Sequence, residues 1–152
     1  MAMKQKIDEL TENEITWVKA QLENAAKFVK DFSPADSVQP FNLAALDRAY
    51  AAWIESGPTE VPLINATIHC VGVAFGQSLL DGVGLGFRWV IATDEYGTDL
   101  AVYGLPNQAD VLVFPATFVA KRWEARETNF LETTYLNMEK DIRELHQSWQ
   151  RS

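Results

Sequence analysis

The sequence predicts an α+β domain with three N-terminal helices, a three-stranded antiparallel meander and two C-terminal helices packed on one face. Apolar residues recur at helical spacing in the first half of the chain and again near its end. Between these regions lie three short runs that are rich in β-branched and aromatic residues. Strands that are grouped in this way favour α+β, because the strands of a parallel sheet alternate with helices.

The first two helices carry recognisable start signals. Thr11 and Glu14 have the spacing of a capping box, which predicts a helix over about 12–31. Asn42 can cap the second helix, and the pair Gly57-Pro58 can end it. The apolar stripe of the second helix consists of Leu43, Leu46, Tyr50, Trp53 and Ile54. Each of the two helices should therefore bury one face.

The third helix, over about 62–81, is apolar on nearly every side, which predicts a central buried helix. Asn65, His69, Gly72 and Gly76 share one narrow face of it. A glycine inside a helix costs ~1 kcal/mol relative to alanine. Close approach of another backbone to the glycine face is the usual reason for keeping such residues, and we expect it here.

The chain then changes from helical spacing to short β-rich runs near 87–92, 100–103 and 111–114. The connection 94–98 predicts a hairpin loop in which Gly97 adopts a left-handed conformation. Because the connections are short and sequential, antiparallel pairing is expected.

Two helices are predicted after the meander. Pro115 should end the third strand, and Thr117 can cap a short helix over 118–123. The last helix is expected over about 129–149. Its apolar stripe consists of Leu131, Tyr135, Met138, Ile142, Leu145 and Trp149.

Length and composition indicate one packed domain over 1–152, since the 152 residues are 47% hydrophobic and 22% charged. The formal charge of −8 argues against a nucleic-acid partner and is compatible with a basic protein partner. The start of the chain lacks the apolar core of a signal peptide, and polar residues interrupt the most apolar stretch, 61–80. A cytoplasmic protein without a membrane span is therefore expected.

Several motifs in their order along the chain resemble one protein family. They lie at 72–76, 89–90, 94–97, 100–102, 111–115, 119–122 and 127–130. Over about residues 43–136, the sequence resembles the uncharacterised, mainly bacterial family numbered 3806 among the domains of unknown function. The resemblance bears on fold and localisation and implies no catalytic residue.

No constellation for metal binding or catalysis stands out, so we expect no metal, no cofactor and no catalytic residue. The two histidines are far apart in sequence, and the single cysteine, Cys70, excludes both a disulfide within the chain and a Cys-rich zinc site. Residues 82–86 are rich in glycine, but they end a helix and begin a strand, whereas a dinucleotide loop begins a helix. Ser78 is not within a nucleophile-elbow motif.

Two groups of residues are candidates for contact with a partner. The first is the acidic hairpin with Asp94, Glu95, Tyr96 and Asp99, which can be either a docking surface for a basic partner or a solvated turn. The second contains Arg122 and Trp123, next to the basic residues Lys121 and Arg126. This basic cluster can bind an anion, or it can pair with Glu124, Glu127 and the acidic hairpin.

The leading functional hypothesis is a non-enzymatic, cytosolic protein-binding domain of an immunity-like or regulatory kind. It rests on the acidic charge, the hairpin and the lack of a catalytic pattern. The alternative is a small-ligand-binding protein or enzyme with a pocket between the central helix and the sheet, which would use Asn65, His69 and Gln77 with the tyrosines. A third hypothesis is a homo-oligomer that forms through the last helix.

Overall fold

The computed structural model describes residues 5–37 and 42–151, and in this part of the chain it shows an α+β domain with five α-helices and a four-stranded antiparallel sheet. The strands are β1 (Lys6–Asp8), β2 (Arg88–Asp94), β3 (Gly97–Gly104) and β4 (Val111–Val113). The helices are α1 (Glu12–Phe32), α2 (Leu43–Glu55), α3 (Val61–Val83), α4 (Pro115–Glu124) and α5 (Leu131–Arg151), with a short 3₁₀ helix at Pro34–Asp36. The predicted class is therefore confirmed.

The predicted caps of the first two helices are confirmed. The Thr11 hydroxyl accepts a hydrogen bond from the Glu14 amide at 3.3 Å, and the Glu14 carboxylate accepts one from the Thr11 amide at 2.8 Å. Asn42 Oδ1 accepts from the Ala44 amide at 2.8 Å. These bonds occupy backbone donors that have no partner within the helix. Local sequence is thus enough to fix where α1 and α2 begin.

Helix α3 is the central helix of the core, as predicted, and α1, α4 and α5 all pack against it. A Cβ added to Gly72 would lie 3.0 Å from the backbone nitrogen and Cα of Ala116, so the predicted close approach of a backbone is confirmed there. At Gly76 the neighbours are instead the rings of Trp89 and Pro115. By length and composition α3 could cross a membrane, but 56% of its most apolar window is buried inside the domain. Core helices of globular proteins share this property.

The meander is confirmed, but the sheet has four strands instead of three. Strands β2, β3 and β4 pair antiparallel in chain order, and β1 pairs antiparallel with β2 through Ile7 opposite Ala92. The sequence did not indicate β1, because Lys6-Ile7-Asp8 is too short to show an alternating pattern. One sheet face joins the main core through Trp89 and Val102, while a smaller apolar cluster around Val90 and Ala101 covers the other.

The C-terminal helices differ from the prediction in start and in packing. Helix α4 begins at Pro115, before the expected cap Thr117, because proline is well suited to the first turn of a helix. It packs against α3 and contacts β3, whereas α5 packs mainly against α2 and α3. We expected both helices to pack on one face of the meander. Helix α4 meets this expectation, and α5 does not.

Asp47 is a buried link between α2 and α5 that the sequence analysis missed. Its carboxylate oxygens accept hydrogen bonds from the backbone amides of Leu131 at 2.9 Å and Glu132 at 3.0 Å. The side chain is therefore a helix cap supplied from a distant part of the chain. Burial raises the pKa of this carboxyl group, although the two amide hydrogen bonds act in the opposite direction.

Candidate functional site

The surface that the structure describes carries a groove of about 890 Å³ over the C-terminal half of α3. Helix α1 forms one wall through Ile15, Val18 and Leu22, and helix α5 forms the opposite wall through Tyr135 and Leu136. The floor belongs to α3 and consists of Ala74, Gln77, Ser78, Asp81 and Gly82. Leu10, Lys19, Leu43, Leu80, Trp89 and Glu132 complete the lining. We call this feature the groove.

Short side chains on α3 create the depth of the groove. Both α1 and α5 pack against α3. The floor of the groove includes Ala74, Ser78 and Gly82, which have small side chains or none. The Tyr135 ring lies over Gly82, with its hydroxyl where a Cβ of that residue would be. Ala74 and Ser78 therefore leave open space that larger side chains would fill in an ordinary helix interface, whereas Tyr135 fills the space at Gly82.

A row of hydrogen bonds crosses the floor. Trp89 Nε1 donates to Gln77 Oε1 at 2.9 Å, and Gln77 Nε2 donates to Asp81 Oδ1 at 3.1 Å. Because an indole N–H can only donate, it fixes the orientation of the Gln77 amide. The second N–H of that amide makes no further hydrogen bond to the described residues, nor does the second carboxylate oxygen of Asp81. Both groups remain able to bind a ligand.

A second polar cluster holds α5 onto the end of α3. The Tyr135 hydroxyl donates to Glu139 Oε2 at 2.8 Å, and Arg143 donates to the Gly82 carbonyl at 3.1 Å. Arg143 also forms an ion pair with Glu139 at 3.6 Å. Burial, followed by the Glu139 contact, raises the pKa of Tyr135 to about 12, so this hydroxyl stays protonated at neutral pH.

Comparison with known protein families identifies where this chain belongs. A family model described as Domain of unknown function (DUF3806) matches residues 44–135, more than half of the chain. The chain is a member of this family. No curated protein and no solved structure matches this chain significantly.

The family match covers only part of the groove. It includes all of α3, and hence the floor, together with Trp89 and Tyr135. The wall formed by α1 lies outside the matched residues. The floor and Tyr135 of the α5 wall therefore lie within the matched residues, whereas Leu136 of that wall lies just beyond them.

The acidic hairpin lies apart from the groove. Tyr96 is 90% exposed at its tip, and Glu95 beside it is exposed as well. Asp94 accepts a hydrogen bond from the Tyr96 amide at 2.8 Å, and Asp99 accepts one from the Leu100 amide at 2.9 Å. Within residues 5–37 and 42–151, no ion pair involves these carboxylates. Their role as a partner contact stays a prediction.

Arg122 and Trp123 are held within the domain. Arg122 forms an ion pair with Glu127 at 3.2 Å, which confirms the predicted pairing with that residue. The Trp123 ring packs on Trp53 with 5.0 Å between ring centroids, and the Arg126 guanidinium lies 3.7 Å from the Trp123 ring centroid. No described ion pair joins this cluster to the acidic hairpin. Contact of Arg122 and Trp123 with a partner remains a prediction.

The polar residues that the sequence suggested for a pocket are not brought together. Gln77 lines the groove, and so does Tyr135, but Asn65 and His69 do not. His69 is exposed and packs edge-on against Trp17, with 5.8 Å between the ring centroids. The groove lies mainly between α1, α3 and α5, with Leu43 of α2 also in the lining, and the sheet contributes Trp89 to it.

Sequence reasoning missed the two walls because they depend on how distant helices are placed. The signals available were the wide apolar face of α1, which includes the half-exposed Ile15, and Leu136, which lies off the main stripe of α5. Neither signal says that the two helices flank the same stretch of α3. The Trp89–Gln77 hydrogen bond joins two elements and likewise leaves no pattern in the sequence.

The described residues contain no group of three or more His, Cys, Asp or Glu side chains that could hold a metal ion. The expected absence of metals and cofactors stays a prediction. Cys70 is buried, and burial raises the pKa of its thiol to about 12. A thiol with that pKa is protonated at neutral pH and is a poor nucleophile.

Proposed function

We propose that the protein is a non-enzymatic binding domain that holds a largely apolar small molecule in the groove. The observation that supports this most directly is the groove itself, at about 890 Å³. Pockets for small ligands span roughly 300–1,000 Å³ and are lined mainly by apolar side chains, with a few polar groups that orient the ligand. The groove has this composition.

The apolar walls supply the driving force in this proposal. Ile15 is 43% exposed and Leu136 is 54% exposed, and they lie on opposite walls. Each Å² of apolar surface that a ligand covers contributes roughly 25 cal/mol. A ligand with an extended apolar part can cover both walls at once, whereas a small polar metabolite would leave them in water.

The polar groups on the floor support binding over catalysis. The described groove lining contains neither histidine nor cysteine. Ser78, the floor hydroxyl, donates to the Ala74 carbonyl at 3.0 Å, so its proton is directed to the backbone of its own helix. A serine nucleophile needs a base within hydrogen-bond reach, and the described residues place none beside Ser78.

A dye-binding experiment with a matched pair of variants tests the proposal. Nile red, a neutral apolar dye, should bind to the wild type, and Ser78→Phe should weaken binding by about tenfold or more because the ring fills the floor. Thr67→Phe is the control. Thr67 is half-buried in α3 outside the groove, and its hydroxyl donates to the Leu63 carbonyl at 3.0 Å, as Ser78 does to Ala74.

Equal loss of dye binding in both variants would place the dye elsewhere or indicate a general disturbance of α3. Circular dichroism and thermal melting of the two variants separate these causes. Dye binding by a folded Ser78→Phe variant at wild-type affinity would contradict the proposal.

A second candidate is binding of a basic protein by the acidic hairpin, in an immunity-like or regulatory role. It is favoured by Tyr96, which at 90% exposure makes no packing contribution, and by carboxylates that lack ion pairs in the described chain. Aromatic residues at such tips are effective contact residues. The cytoplasmic location expected from the sequence belongs to this proposal and stays a prediction.

Association kinetics test the second candidate once a partner has been captured from the native host and identified by mass spectrometry. Replacing Asp94, Glu95 and Asp99 by their amides should slow association and flatten its dependence on salt. The amides preserve the oxygen atoms that bind the backbone, so the fold should survive. Unchanged association at low salt would remove the hairpin from the interface.

A further inference from the structure

The groove lining carries more acidic than basic residues, and this excess of negative charge indicates the kind of head group that a ligand would carry. Asp81 and Glu132 are the acids of the lining and Lys19 is its base. In the described chain none of the three takes part in an ion pair. A bound ligand would therefore meet two carboxylates and one ammonium group that form no described ion pair, although Glu132 lies within electrostatic reach of Arg48.

Asp81 is the best placed of the three because it is the one held in position. Gln77 donates to its Oδ1, and Trp89 in turn fixes Gln77, so the carboxylate is anchored to the floor. Lys19 makes no hydrogen bond to the described residues and is exposed on α1. An anchored charge loses less conformational entropy on binding than a flexible lysine does. Head-group recognition should therefore be dominated by the acid.

We propose that the groove prefers amphiphiles with a cationic amine head group over those with a carboxylate, and that Asp81 sets this preference. This inference rests on the proposed function and names its ligand class. The free oxygen of Asp81 accepts a hydrogen bond from the ammonium group, and the alkyl chain lies between the α1 and α5 walls. Glu139 does not compete for the ammonium group, since Tyr135 and Arg143 already bind it.

The occupant is a single amphiphile and not the basic helix of a partner protein. The groove is within the size range of small-molecule sites, and Val18 and Ala74 in its lining are buried. On the floor, Gln77 and Asp81 form one hydrogen-bonded pair, and apolar side chains of α1 and α5 line the walls. That arrangement suits one head group and one tail, whereas a helix would present charges along its length.

Displacement of Nile red tests the preference with ligands that share a tail. Dodecylamine, dodecanol and dodecanoate are compared at neutral pH and low salt, below the micelle concentrations of the two ionic compounds and below the solubility limit of dodecanol. We expect dodecylamine to displace the dye at about two- to fivefold lower concentration than dodecanol, the range expected for one partly exposed charge pair, with dodecanoate the weakest. Raising the salt should reduce the difference.

Asp81→Asn is the decisive variant, because asparagine can still accept the Gln77 hydrogen bond while losing the charge. It should bring dodecylamine to the level of dodecanol. Asp99→Asn makes the same charge change on the hairpin and should leave the preference intact. Equal displacement by amine and carboxylate, or an amine preference that survives in Asp81→Asn, would overturn the inference while leaving apolar binding in the groove.

Two further outcomes separate the inference from the proposed function. If Nile red does not bind at all, or binds equally well to Ser78→Phe, both fail together. If a basic amphipathic peptide displaces the dye and dodecylamine does not, the groove is a protein-docking site and the amphiphile inference is wrong.

Discussion

At the scale of single residues, two buried polar groups allow the stability of the domain to be related to particular atoms. Asp47 is 7% exposed and satisfies two amides at the start of α5, whereas the Tyr50 hydroxyl is buried with no hydrogen-bond partner among the described atoms. A buried group with partners contributes stability, and one without partners costs it. The two residues should therefore respond to truncation in opposite ways.

Replacing Asp47 by alanine should lower the free energy of unfolding by about 1–3 kcal/mol, because the Leu131 and Glu132 amides lose their shared acceptor. Urea denaturation measures the change. Asp141→Ala is the matched control, since Asp141 is an exposed aspartate in the same helix that Asp47 caps. An Asp47→Ala variant as stable as the control would show that the cap contributes nothing.

Tyr50→Phe should leave the free energy of unfolding unchanged or raise it by up to about 1 kcal/mol, since it removes a buried hydroxyl without a partner. Tyr135→Phe is the counterpart, because it removes a hydroxyl that donates to Glu139 at 2.8 Å, and it should destabilise by roughly 0.5–1.5 kcal/mol. Thermal melting of both variants checks the pair. A clear loss of stability in Tyr50→Phe would mean that the hydroxyl has a partner after all.

Asp36 should make the stability of the protein depend on pH. The hydrogen bond from Arg48, followed by that from Ser33, lowers the pKa of Asp36 to about 2. A carboxyl group with a depressed pKa contributes stability above its unfolded pKa, roughly 3.9, and this contribution is lost as the pH falls towards the folded value. Between about pH 4 and 2, the urea midpoint should therefore fall more steeply for the wild type than for Arg48→Gln. Parallel curves would contradict this role for the pair.

At the scale of elements, contacts between α3 and its neighbours depend on glycines. The ring of Trp89 occupies the space beside Gly76 and also supplies the hydrogen bond to Gln77. The glycine therefore serves two purposes, since it lets the sheet approach α3 and places the indole at the groove floor. The sequence indicated that something approaches this face, but it could not say that the neighbour at Gly76 is a ring.

Gly76→Leu should destabilise the domain by about 1–3 kcal/mol or more, because the new side chain collides with Trp89 and Pro115. Thermal denaturation measures this, with Ala66→Leu at an exposed position of the same helix as control. A melting temperature for Gly76→Leu within a degree of the control would refute the close packing at this face.

The start and end of most elements could be predicted because the signals for them are local. Thr11, Asn42, Gly57 and Pro115 act through their own backbone conformations or through bonds to residues nearby in the chain. β1 and the cap by Asp47 could not be predicted in this way. Both depend on partners about 80 residues away, Thr93 to Ile91 for β1 and Leu131 to Glu132 for Asp47.

At the scale of the whole molecule, the fold class was predictable and the groove was not. Hydrophobic periodicity identifies the buried face of each helix but not the angle at which α1 and α5 cross α3. The groove depends on α1 and α5 lining the same stretch of α3, and that relation has no signature in one sequence. The last helix shows the same limit, since Leu145 and Trp149 continue its apolar stripe yet are about half exposed.

A homo-oligomer that forms through this end of α5 stays a prediction. Two exposed apolar side chains per copy are few for a stable dimer, which usually buries at least ~1,200 Å² in total.

Binding of an apolar amphiphile between α1, α3 and α5 is the central functional claim, and an NMR titration of the labelled full chain with dodecylamine tests it most directly. We expect the amide shifts of Val18, Ala74, Ser78 and Tyr135 to move in a saturable way, while those of Glu95 and Tyr96 on the hairpin stay fixed. Shifts confined to the hairpin, or spread over the surface without saturation, would contradict a binding site in the groove.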